Sequence, residues 1–408
     1  MRATGALLAL ALTLPVAADE QSYNDWALFP IMVRDQHGAI NRTGEVVIAP
    51  EYEESIVMRE GLARVRKGSR VAYLDASGKR VIEPQEMTAE LFSQGVAPAT
   101  GRSAEGKFAW GFIDRKGAWR IPPQFDDAKG FSGSRAAVGV TDEWGKVKYG
   151  YIDANGALVI KPQFDRAHPF GRVARVEIGK RIRLIDSQGR DVTPADIDAF
   201  AEVSDGMMLA RKGKLLGFLD DEGKVAIQPR FQSVQDFKGG RARFWENGKY
   251  GYIDKKGAVV IEPKFDSAAD FAEGLAAVRL GDRQGFVDPD GKLVIEPAFE
   301  RVQDFSDGVA AAQREKLWGY IGRDGKWKIE PKYAWVRPFR NGLAWVGEPR
   351  MRGGNYVDQT GRLRDSDRER RRCACDPRAH RSASGRRTSS AAVAGGAHDS
   401  RVALCGGG

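Results

Sequence analysis

A chain of 408 residues exceeds what one hydrophobic core usually fills, leaving several domains or a repeat array whose units bury apolar faces only against their neighbours. Hydrophobic residues at 42% fit a soluble chain, and 48 glycines without a period of three exclude collagen and point to many turns. Of the net charge of +9, the stretch Arg362 to Gly408 carries 11 Arg against five acids, so the nearly balanced remainder is no polyanion binder and no nucleic-acid partner is expected.

The first element is Met1-Arg2-Ala3-Thr4-Gly5, followed by an apolar run from Ala6 to Ala18 broken only by Thr13 and Pro15. A short basic end, about a dozen apolar residues and small side chains at Val16 and Ala18 predict a secretory signal peptide over 1–18, cleaved after Ala18. The run is shorter than the ~18–20 residues that span a bilayer, and no later stretch comes close. The processed chain is therefore expected in the periplasm or secreted, without a transmembrane segment. Residues 19–39 read as a lead-in. Cys373, Cys375 and Cys405 all lie in the last part of the chain, so the body between uses no disulfide and holds no Cys nucleophile or Cys metal site.

From residue 40 to 362 one pattern recurs: an aromatic or apolar residue, Gly, an aromatic, Ile/Val/Leu, Asp, two variable residues, Gly, then an apolar pair ending in Ile-x-Pro. Its clearest copy runs from Tyr250 to Asp266. The turn glycine stands at Gly44, Gly78, Gly117, Gly156, Gly189, Gly223, Gly257, Gly291, Gly325 and Gly361, at intervals of 34, 39, 39, 33, 34, 34, 34, 34 and 36 residues. Asp-x-x-Gly predicts hairpin tips built on a type I turn with a left-handed glycine, as in Asp114 to Gly117, Asp153 to Gly156, Asp254 to Gly257 and Asp288 to Gly291. β-Branched and aromatic residues on both sides predict strands. A proline six residues after most turn glycines is expected to stop the second strand, because it cannot donate to a ladder.

After the proline, the spacing of Phe265, Ala268 and Phe271 suits a short turn or 3₁₀ connector, and the alternation after Gly274 suits a third strand. Asn247-Gly248 marks the tight turn into the next copy. Each unit is thus a three-stranded antiparallel meander. The expected fold is all-β, about nine such repeats with a period near 34 residues, in an open, curved, solenoid-like arc. A closed propeller-like ring or two lobes is the alternative, since propeller blades usually have four strands and rings four to eight blades.

Trp110-Gly111-Phe112-Ile113-Asp114 and Trp318-Gly319-Tyr320-Ile321 resemble the signature of bacterial WG (KWG) repeats, from about Ile40 to Arg362. That resemblance implies an all-β repeat domain, often exported or envelope-associated, with binding roles and no established catalytic residues. Tyr149, Tyr250, Leu216 and Gln284 replace the tryptophan. The fifth copy, Gly189 to Gly206, departs further, with Pro194 one residue early and no Phe after it. Beyond Arg362, residues 363–408 are rich in Arg, Ser, Ala and Gly and are expected to be a disordered basic tail.

Candidate chemistry is sparse. Each repeat aspartate has a turn to cap, and even Asp288-Pro289-Asp290-Gly291 falls short of the oxygen ligands of a calcium loop. The histidines, His37, His168, His380 and His398, are scattered. No catalytic residue, metal or cofactor is therefore expected. Trp110 and Trp318 fall in the phase of core residues, whereas Trp119 and Trp327, directly after the turn, are candidates for an exposed ligand platform. Arg172, Arg175, Lys180, Arg181 and Arg183 make a basic cluster beside the irregular copy, either a solvated face or an anion site. The function expected is a non-catalytic binding module of the bacterial envelope, contacting protein or an envelope polymer through its repeat surface. Alternatives are a carbohydrate-active protein, glycan-binding or hydrolysing, and a structural spacer.

Overall fold

The computed structural model of the chain describes residues 28–349 and 354–364. The signal peptide expected over 1–18, and the tail beyond Arg364, lie outside the described residues. Every regular element among the described residues is a strand, and all strands pair antiparallel with their neighbours in sequence. They form ten sheets of three or four strands, numbered in chain order 29–52, 57–86, 96–125, 127–164, 166–185, 199–231, 242–265, 267–299, 301–333 and 335–358. Ten turn glycines bound nine intervals, and each glycine has its own sheet. Of the residues read as a lead-in, those from 29 to 39 belong to the array, since Phe29–Val33 and Gln36–Ile40 are the first two strands of sheet 1, and 19–27 lie outside the described residues.

Sheet 8 shows the plan. Ser267–Ala268, Ala276–Leu280, Arg283–Val287 and Leu293–Phe299 lie side by side in that order. The segment after Phe265 is therefore a short edge strand paired to Ala276–Leu280, not a 3₁₀ turn. Its backbone finds sheet partners, which a helical turn of so few residues would satisfy less well. The Asp-x-x-Gly tips form as expected. At Asp254, the carbonyl accepts from Gly257 N at 2.8 Å, the carboxylate accepts from Lys256 N and Ala258 N at 2.9 Å, and Gly257 is left-handed at φ +83. Asn247 and Gly248 both have positive φ, the type I′ turn their sequence calls for.

The proline reading needs correction. Pro263 lies inside Val259–Phe265, and the strand continues past it in a wide bulge: Tyr252 pairs with Ile261, but Tyr250, only two residues back, pairs with Phe265. A bulge leaves residues out of the ladder, which is where a residue without an N–H can sit inside a strand. The bulge bends the backbone over the facing strand, and there the chain has glycine. A Cβ on Gly38 would stand 2.5 Å from the Ile48 oxygen and 2.7 Å from Pro50 N. Gly111, Gly150, Gly217, Gly251, Gly285 and Gly319 are covered in the same way. In sheet 2 the bulge is one residue shorter, from Tyr73↔Ile82 to Val71↔Gln85, and the position between holds Ala72. The fifth copy lacks the bulged strand, Thr193 Oγ receiving Leu184 N at 2.8 Å instead, and the position holds Arg183.

Packing between sheets follows one scheme. After six of the seven covered glycines, all but Gly38 with Ala39, an aromatic meets a phenylalanine of the following segment edge-on, as Tyr252 meets Phe271 at 4.9 Å and Phe286 meets Phe305 at 4.8 Å. Where that aromatic is tyrosine, its hydroxyl donates to a connector carbonyl, from Tyr252 to Ala269 O at 2.7 Å and from Tyr320 to Arg337 O at 2.7 Å. Burial pushes both hydroxyls far above the ordinary tyrosine value, so they remain donors. At the sheet ends a carboxylate reaches forward to the next sheet: Asp205 to Gly240 N at 2.7 Å, Glu273 to Gly308 N at 3.0 Å and Asp307 to Gly342 N at 2.7 Å.

Ten buried apolar clusters join the ten sheets, one for each successive pair and a tenth that joins the last sheet to the first. In the tenth, Phe29, Ile31 and Ile40 of sheet 1 pack with Leu343, Trp345 and Tyr356 of sheet 10. Tyr356 lies edge-on to Phe29 at 5.4 Å and donates to Pro30 O at 3.1 Å. The array thus takes the closed form rather than the open arc. An open array must cover two terminal faces with polar caps, whereas here each terminal face covers the other.

Candidate functional site

The proposed tryptophan platform is not assembled. Trp119 and Trp327 begin the bulged strands of sheets 3 and 9, far apart in the ring. Trp327 stands edge-on to Phe299 at 5.5 Å with the Arg314 guanidinium 5.2 Å from its ring, so it is largely covered. Trp119 is 40% exposed and lies across Gly101, whose missing side chain makes room for it. Trp110 and Trp318 are partly buried at the margins of inter-sheet clusters, rather than in the core where their phase placed them.

The basic cluster is brought together in sheet 5, yet most of its charge is already matched. Arg172 reaches Glu222 at 2.8 Å and Asp221 at 3.3 Å in sheet 6, Arg175 reaches Glu202 at 2.9 Å and Glu177 at 3.6 Å, and Arg183 reaches Asp191 at 3.4 Å. Lys180 and Arg181 sit exposed at the tip of a two-residue hairpin turn. Arg172 occupies the place held elsewhere by Glu60, Asp205 or Glu273, whose partners across the interface are Arg115, Lys255 and Arg323. It is the same inter-sheet pair with its charges exchanged, which accounts for it without an anion.

A cleft of about 810 Å³ crosses sheets 2 to 5, within the size range of ligand sites. Its walls come from Arg59 and Glu60, from the segment Glu90 to Gln94 that leads into sheet 3, from the run Asp127 to Ser132, and from Trp110 and Pro169. Most polar groups here already have partners. Glu60 accepts from Gln94 N at 2.6 Å and Gly95 N at 2.9 Å. Asp127 accepts from the Tyr149 hydroxyl at 2.7 Å and pairs with Lys129 at 2.9 Å. Burial, with that carboxylate beside it, pushes Tyr149 up to about 12. Ser93 donates to Phe131 O at 2.5 Å and Ser132 to Phe170 O at 2.8 Å. Glu90 is exposed, and its carboxylate makes no hydrogen bond or ion pair among the described residues. No three His, Cys, Asp or Glu side chains among the described residues are placed to share a metal ion.

The model of a family described as "WG containing repeat" matches residues 38–70, 110–144, 149–180, 217–250, 250–283, 285–318 and 318–347, more than half of the chain. The chain belongs to the WG-repeat family. Its seven matched segments begin at, or one residue before, the seven glycines that lie under a wide bulge. The unmatched stretches hold the copies with Ala72 and Arg183 at that position. No curated protein matches the chain. Among solved structures it is similar to BamB from Moraxella catarrhalis, at 15% identity over 74% of this chain and 93% of that one, with a TM-score of 0.29. It is similar also to Kluyveromyces lactis Hsv2p, at 10% identity over 57% and 92%, TM-score 0.29, and to the dihydro-heme d1 dehydrogenase NirN in complex with DHE, at 13% identity over 65% and 72%, TM-score 0.29. Likenesses this distant carry no argument about the role of this WG-repeat chain.

Sequence reasoning missed Phe108 and Trp144, which are 67% and 78% exposed. Both belong to hairpins in sheets 3 and 4 whose loops span 103–107 and 142–146, where most WG-repeat copies use two residues. The signal was present in the two 39-residue intervals around Gly117, since insertions in a repeat array map to loops.

Proposed function

We propose that this WG-repeat protein is a non-catalytic binding module of the bacterial envelope that contacts a protein or an envelope polymer through the cleft across sheets 2 to 5. The observation that carries this reading is the state of the cleft's carboxylates. Hydrolysis of a glycosidic bond needs two of them ~5–10 Å apart and available to the substrate, and of Glu60, Glu90 and Asp127 only Glu90 is unengaged. What remains is concave, partly apolar and suited to holding a ligand. The envelope location rests on the signal-like residues 1–18.

The test is retention on the immobilised full-length protein of periplasmic extract on one side and purified peptidoglycan fragments on the other. Wild type is expected to retain one of them, and Leu91→Arg, which places a charged side chain in the cleft, to release it by tenfold or more. Equal retention by the two proteins defeats the reading.

A further inference from the structure

We infer that the cleft receives an extended polypeptide segment bearing a basic side chain, laid along the open edge of Asp127–Ala128 with its cation at Glu90. This rests on the binding reading above and names the ligand class. Asp127–Ala128 is the terminal strand of sheet 4: Asp127 pairs with Gly139 and Ala128 with Val138, and among the described residues no strand pairs with its other side. The six consecutive residues from Asp127 to Ser132 all line the cleft, so a length of backbone is presented to it. Within that run the Gly130 N–H has no partner among the described residues. An added strand is what an open sheet edge binds, through main-chain hydrogen bonds that any polypeptide supplies.

The side chains narrow the choice. A glycan is recognised by hydroxyl and carboxyl groups aimed at its ring substituents, and here those of Ser93, Ser132, Glu60 and Asp127 are engaged within the protein. The cleft offers instead main-chain edge, the apolar surfaces of Trp110, Leu91 and Pro169, and one unmatched carboxylate. Lys129 is neutralised by Asp127. The charge left to complement is negative, at Glu90, so the ligand brings a Lys or Arg.

The experiment selects phage-displayed random decapeptides on the full-length protein and measures the enriched peptides by fluorescence anisotropy. Expected are peptides with a Lys or Arg, weakened tenfold or more by Glu90→Lys and by N-methylation at alternate backbone positions. Their Lys-to-Glu versions should bind Glu90→Lys better than wild type. Glu90 is exposed, so an unchanged Tm for Glu90→Lys shows that the fold is not the cause. Peptides indifferent to Glu90→Lys, or to N-methylation, overturn the inference. If no peptide is enriched while peptidoglycan fragments bind in a Leu91-dependent way, the ligand class is wrong and the binding reading stands. If neither class binds, both fall.

Discussion

Sheet 7, residues 242–265, and sheet 5, residues 166–185, occupy equivalent places in one ring and are built by different rules. In sheet 7 every repeat position is filled: Gly251 under the bulge of Pro263, Tyr252 against Phe271, and Lys255 of its turn paired back to Asp205. In sheet 5 the bulged strand is gone, Arg183 stands where the glycine would be, Thr193 supplies an acceptor, and Arg172 holds sheet 6 with reversed charge. Both bury a full apolar cluster on each side. The ring therefore requires apolar burial at each interface, while the signature glycine is required only where a wide bulge crosses the facing strand.

Sheet 10 shows no bulged strand among the described residues, yet it closes the ring. Tyr356 there is buried against Phe29 and Trp345. Tyr356→Ala is expected to have the largest effect of the substitutions considered, about 3–5 kcal/mol as for other large aromatics removed from a core. Hydrogen exchange should show loss of protection at residues 29–40, more than 300 residues away in sequence. Protection lost only around residue 356 would mean that the array is open in solution.

The next effect separates sheets 7 and 5 directly. Gly251→Ala brings a Cβ to 2.9 Å from Pro263 N, and backbone on both strands must shift. The expected cost is about 3 kcal/mol, the upper range for overpacking, read as lost protection at 249–265. Arg183→Ala, at the same place in sheet 5, should stay within about 0.5 kcal/mol, as surface substitutions do. Equal costs would show that the signature glycine serves something other than the bulge.

Much of this was legible in the sequence. Asp254 and Gly257 specify their turn by local chemistry alone, and Asn247-Gly248 does the same, because a few adjacent residues contain the whole cause. The bulge at Pro263 was not legible: proline excludes a ladder bond, and only the register of the facing strand shows whether the chain ends there or arches over. Closure was hidden for a similar reason, since Phe29 and Tyr356 carry no mark of each other. Of the candidate site residues, the tip glycines were placed correctly by turn chemistry. Arg172, Arg175 and Arg183 left a solvated face and an anion site both open because their partners, Glu222, Glu202 and Asp191, lie in the next turn or the next sheet. The cleft itself is made of connectors from four sheets, a juxtaposition that no linear pattern encodes.

The smallest effect tests the charge exchange between sheets 5 and 6. Arg172 and Glu222 are both well exposed, so solvent screens their attraction. Arg172→Glu, which sets a third carboxylate beside Asp221 and Glu222, is expected to lower hydrogen-exchange protection of residues 199–223 by a few-fold at low salt and by less at high salt. Adding Glu222→Arg restores the pair in the orientation that Glu273 and Arg323 use, and should recover most of the loss. The acid side gives an independent check. Hydrogen bonds from Lys224, and then from Arg172, hold Glu222 below its ordinary 4.5. A carboxylate depressed in the folded state stabilises fully above its unfolded value and loses that contribution as pH falls through the folded one. Wild type should therefore lose protection at 199–223 as pH drops below about 4.5, and Arg172→Gln should lose less over the same range. An Arg172→Glu protein that keeps full protection at low salt would free Arg172 from this structural role and return it to the candidates for an anion.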